Sequence, residues 1–236
     1  MRRVSAAVVL MSLLMGATSG CGKEKAEVDP AEERCRGALG GDAVSWMDSI
    51  GAKDYRASRY DDLDIVGNTL KGMLRTWTGR ENSGDLNYWR DVCDMSSDTT
   101  GKDVRFTWGE SRYAFSETVK KEKEVLSRLT RRDTDPKSKP DYRSSRVNSD
   151  VLLTFLQQDS REVPFYRVYL RCAVPGARDS QIDGDPVAVG AIGETGSRLD
   201  GKNVFRHLLR SARLLAKRLD CQNKPQIPTK VPASMR

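Results

Sequence analysis

Four cysteines spread through the body of this chain, Cys35, Cys93, Cys172 and Cys221, restrict its folding more than any other feature of the sequence. No two of them form a C-x-x-C pair, and His207 is the single histidine, so neither a zinc site nor a dithiol redox motif can be assembled from them. The use left for them is structural. Paired as disulfides, they place the chain in an oxidising compartment. Four cysteines allow three connectivities, and spacing alone does not choose among them. Cys35–Cys93 with Cys172–Cys221 is favoured, because each bridge then brackets one half of the domain. Each would close a loop of about 50 to 60 residues, for which the chain-entropy model gives roughly 4 kcal/mol.

A fifth cysteine, Cys21, stands apart from these. It follows a basic start, Met1-Arg2-Arg3, and a mostly apolar run of twelve from Val4 to Met15, with no acidic residue before Glu24. Twelve residues are too few to span a bilayer, since a crossing helix needs about 20. Residues 1–20 therefore read as a secretory signal peptide. The residues that close it are Thr18-Ser19-Gly20-Cys21. Ser19, Gly20 and Cys21 resemble the lipobox of bacterial lipoproteins, in which small residues precede a cysteine that takes a diacylglyceryl thioether and becomes the mature N-terminus. Thr18 departs from that pattern, where an aliphatic residue is usual. The resemblance implies lipidation of Cys21 with palmitate-type acyl chains, and a secreted chain anchored to the cell membrane on its extracytoplasmic face. The competing reading is an ordinary signal peptide cut near Ala17. Gly22 to Arg34 is charged and has no large apolar residue beyond Val28, so residues 21–34 read as the lipidated cysteine and its tether.

Periodicity organises residues 35–221 as a single α+β domain, an antiparallel sheet packed against a few helices and closed by a long C-terminal helix. Asp42 to Ile50 places Ala43, Trp46, Met47 and Ile50 on one helical face, with Gly51 as a stop. Asp61 or Asp62 can cap a second helix, where Leu63, Val66, Leu70, Met73, Leu74 and Trp77 share a face and Gly79 ends the run. Val204, Phe205, Leu208, Ala212, Leu215 and Leu219 form the clearest stripe, between Gly201 and Cys221. Strict alternation marks strands at Val104-Arg105-Phe106-Thr107-Trp108 and from Tyr166 to Val174. Val151 to Leu156 and Val187 to Ile192 are continuously apolar, as central strands are. Residues 89–95 should pair with 103–109 across the turn at Thr100-Gly101-Lys102. Phe115 to Leu129 fits either a helix or a charged loop. Arg131 to Ser149, rich in Asp, Pro, Lys, Ser and Arg, reads as an exposed loop, and residues 222–236 read as a disordered tail with Pro225, Pro228 and Pro232. This layout resembles small secreted lipoproteins of unknown function from high-GC Gram-positive bacteria, some of which fold as a sheet flanked by helices. The resemblance brings no activity with it.

Candidate chemistry is thin. Gly196 to Asn203 comes within one residue of the phosphate-cradling G-x-x-x-x-G-K-[ST] loop, but Asn203 stands where the magnesium-binding hydroxyl is needed. A glycine turn capped by Asp200 explains the same residues. Asp61, Asp62 and Asp64 lack the further oxygen ligands of a calcium loop, Val66 standing at the third position, and complement a helix N-terminus instead. His207, between Arg206 and Leu208, reads as a surface residue. With no G-x-S-x-G and no base and orienter to assemble, the chain reads as non-enzymatic, with no cofactor and no metal.

Charge is unevenly placed. Residues 22–100 hold eleven Lys/Arg against sixteen Asp/Glu, whereas 101–236 hold twenty-seven against seventeen. The last helix concentrates the excess at Arg206, Arg210, Arg213 and Lys217, a face suited to anionic lipid or cell-wall polymer. No aromatic-basic interleaving accompanies it, so nucleic acid is not an expected partner. Two functions follow: a lipid-anchored, non-catalytic binding or interaction module with a protein partner, or an envelope-associated accessory protein that rests its basic helix on anionic material.

Overall fold

The computed structural model describes residues 29–51, 54–55, 62–77, 89–97, 102–111, 113–121, 124, 141–157, 164–177, 187–195 and 199–235. Their helices are α1 (Pro30–Leu39), α2 (Gly41–Ser49), α3 (Leu63–Thr76), α4 (115–121) and α5 (Gly201–Leu219), with a 3₁₀ turn at Ala233–Met235. The strands are β1 (Asp54–Tyr55), β2 (Trp89–Ser97), β3 (Lys102–Glu110), β4 (Asp141–Arg146), β5 (Val151–Gln157), β6 (Phe165–Arg171) and β7 (Val187–Thr195). They form one sheet in the order β1-β2-β3-β7-β6-β5-β4, antiparallel at every pairing. The class is α+β.

Alternation decides which side chains meet the helices. Trp108, Phe106 and Val104 on β3 face the same way as Ile192 on β7, Tyr166, Val168 and Leu170 on β6, and Leu153 and Phe155 on β5, and all are buried. On that layer lies α5, whose stripe of Val204, Phe205, Leu208, Ala212, Leu215 and Leu219 is buried throughout. A fully buried Leu is worth roughly 1.5–3 kcal/mol over an exposed one, so this stripe fastens α5 to the sheet. Asp200 caps α5 by accepting from the Lys202 amide, and Asp220, in the left-handed region at φ 57°, ends it. Likewise Asp62 caps α3, accepting from the Ile65 amide at 2.8 Å. On the other face, α4 sets Phe115 and Val119 against Leu152 and Tyr169 as a small second core.

Both disulfides join distant elements. Cys35–Cys93 ties α1 to β2, and Cys172–Cys221 ties the end of β6 to the chain just after α5. The hairpin of β2 and β3 pairs Trp89 with Gly109 and Ser97 with Lys102, with a register shift between Asp91 and Cys93.

Three expectations change. Residues 30–34 belong not to a tether but to α1: Asp29 caps it, Pro30 opens it, and Ala31 is buried. A charged first turn suits a helix N-terminus, because acids there complement the dipole. Within the expected loop 131–149, residues 141–146 form edge strand β4, which has no apolar alternation: Asp141 to Ser145 are half-buried at the rim and Arg146 is exposed. The tail, expected to be disordered, packs on the domain over residues 222–235. Gln222 donates its amide to the Ala173 carbonyl, Arg213 donates to the Pro228 carbonyl at 2.7 Å, and Val231 and Met235 are buried. Its prolines restrict the unfolded chain, which lowers the entropy cost of laying it against the domain.

Candidate functional site

The basic residues singled out from the sequence project from one helix, and α2 meets them. Arg206 and Arg210, one turn apart on α5, converge on the carboxylate of Asp42 in the first turn of α2, at 3.6 and 3.2 Å. Beside them the Trp46 ring stacks on the His207 imidazole, with centroids 4.8 Å apart and planes at 24°. Arg213 is half-buried and holds the Pro228 carbonyl, while Arg218 pairs with Asp64 of α3. Lys202 and Lys217 stay exposed. The face is therefore less cationic than its sequence suggests. Asp42 and Asp64 answer three of its arginines, and a fourth serves the tail.

His207 is the residue whose placement differs most from expectation. It is 1 % exposed rather than on the surface. Positions 204, 207, 208, 211 and 215 follow helical spacing, so His207 and Ser211 lie inside the buried face of α5, and that spacing was the signal available in the sequence. Ser211 Oγ accepts from the Trp108 indole at 3.0 Å. The His207 Nε2 faces Arg206 Nη2 at 3.4 Å, the geometry of a neutral ring accepting from a guanidinium. Nδ1 is buried and meets no partner in hydrogen-bond geometry among the described residues; the nearby Leu39 backbone offers a weaker contact. Burial lowers the imidazole's affinity for a proton; Asp42 opposes the effect, and Arg206 and Arg210 reinforce it. The Arg213 guanidinium is also lowered, by burial first and by Arg210 second.

Elsewhere the candidates separate. Asp200 and Asn203 bond each other at 2.8 Å in the α5 cap, so the residues that resembled a phosphate loop are occupied with helix initiation; residues 196–198 lie outside the described part. Asp62 caps, Asp64 is salt-bridged, and Asp61 lies outside the described residues, as does Cys21. Asp91 and Glu110 are both raised, chiefly by burial, with Arg105 opposing this at Asp91. The described residues hold no group of three or more His, Cys, Asp or Glu placed to share a metal ion, and no helix among them is long and apolar enough to cross a membrane. No family model, curated protein or solved structure matches this chain.

Proposed function

We propose that this chain is a lipid-anchored extracytoplasmic protein whose folded domain serves as a non-catalytic interaction module. One observation carries the reading. All four cysteines of the domain are consumed in two bridges, which leaves Cys21, directly after the leader-like run, as the one cysteine outside them. Two buried structural disulfides suit an oxidising compartment. A partner protein is the expected ligand, met at the membrane through the N-terminal lipid. Resting the α5 face on anionic lipid or wall polymer has weaker support, because Arg206, Arg210 and Arg213 already have partners within the domain.

Replacing Cys21 with Ala tests the proposal. The wild type should sediment with membranes and carry a mature N-terminal cysteine bearing the mass of acyl chains, and Cys21→Ala should appear in the soluble extracytoplasmic fraction. A wild-type mature protein that begins elsewhere without that mass overturns the reading.

A further inference from the structure

α2 is flanked in the chain by two glycines, Gly40 and Gly51. α1 is bound to β2 through Cys35–Cys93, and α5 lies along the sheet by its apolar stripe. α2 connects to its neighbours through Gly40 at φ 103° and Gly51 at φ 86°, conformations that a side chain would resist and glycine adopts freely. The Gly40 site is also tight, since a Cβ there would fall 2.2 Å from Arg210 Nε. Besides the apolar face that α2 buries in the common core, two contacts join it to α5, the Trp46–His207 stack and the Asp42 carboxylate shared by Arg206 and Arg210.

We propose that α2 is an acid-released flap, docked on α5 while His207 is neutral and loosened when that imidazole takes up a proton. A neutral Nε2 accepts from Arg206; a protonated one sets donor against donor and adds a positive charge beside Arg206 and Arg210. Asp42 would then serve three cations with one carboxylate. The charged groups acting on the ring among the described residues are Asp42 from α2 and Arg206 and Arg210 from α5. From α1 comes the Leu39 backbone, while Arg36 of that helix is engaged with Glu32. Asp42 and Leu39 favour the imidazolium, whereas burial and the two arginines disfavour it, and the net effect is a lowered proton affinity.

The sign follows from linkage. An undocked ring, in water, titrates near 6.5 and binds its proton more tightly than the docked one. Docking is therefore at full strength above that pH and weakens as pH falls below it, down to the pKa of the docked ring. Release would bare Ala43, Val44, Trp46 and Met47, an apolar helix face now buried, while the disulfide keeps α1 in place.

A single histidine makes the test direct. In the purified full chain with intact disulfides, the imidazole proton resonance should titrate with a midpoint below 6.5. Hydrogen-exchange protection over residues 41–49 should fall by about tenfold per pH unit below that value, while β5 and β6 hold theirs. His207→Phe keeps an aromatic ring against Trp46 and should leave α2 protection flat with pH. Should that variant not fold, Arg206→Gln on the exposed side should raise the midpoint towards 6.5 and shallow the response. A midpoint at or above 6.5, unchanged α2 protection in the wild type, an acid response that persists in His207→Phe, or one undiminished in Arg206→Gln overturns the proposal.

Discussion

Adding one methyl group at Gly190 should destabilise the domain. Gly190 sits opposite Trp108 in the β3–β7 register, and its ideal Cβ would lie 2.9 Å from both Cη2 and Cζ2 of that ring and 3.1 Å from Cε2. Carbon atoms prefer about 3.5–4.0 Å, so the indole would have to retreat by more than half an ångström. It has nowhere to go. Trp108 is fully buried, its Nε1 is bonded to Ser211 on α5, and β7 is held on both sides by β3 and β6. Overpacking of this kind costs about 1–3 kcal/mol, and replacing a strand glycine returns about 0.5–1 kcal/mol of backbone entropy, so the middle of each range leaves Gly190→Ala losing about 1 kcal/mol net. Gly72→Ala is the control: a Cβ at that exposed α3 position meets nothing within 4 Å. It should gain about 0.5–1 kcal/mol from helix propensity alone. Urea unfolding with both disulfides intact measures the pair, and an unchanged m-value confirms that midpoints report stability. A neutral or stabilising Gly190→Ala would mean that the β3–β7–α5 layer yields to the methyl, and the packing argument would fail.

Truncating Leu208 to Ala, at a fully buried site on α5, should cost roughly 2–5 kcal/mol in the same assay, and a cost under about 1 kcal/mol would deny the stripe its role. Deleting residues 225–236 should lower the unfolding midpoint and shorten the life of the intact domain under protease, because it strips Val231 and Met235 from the core; an unaltered midpoint would return the tail to the disordered class.

Local periodicity carried much of this fold. The stripe from Val204 to Leu219, the cap at Asp62, the alternation around Phe106 and the β2–β3 hairpin are short-range patterns whose physical cause lies within one element, and each appears where the spacing puts it. Cysteine parity and bracketing likewise led to the observed bridges. Where a residue's state depends on a partner far along the chain, local pattern was silent or misleading. β4 is a strand because β5 offers it an edge, not because Asp-Tyr-Arg-Ser-Ser-Arg alternates. The tail orders because the domain presents Ala173, Arg213 and an apolar seat for Met235. Arg210 meets Asp42 across 168 residues of sequence, and that one carboxylate turns an apparent binding face into a helix junction. His207 reads as a surface group beside Arg206 until Trp46 covers it. Sequence determined where α2, α3, α5 and the central strands form, since hydrogen bonding and side-chain period act over a few residues. Tertiary structure alone decided which charges are spent internally and whether the single imidazole sees water, because burial belongs to the assembled layers and not to any one of them.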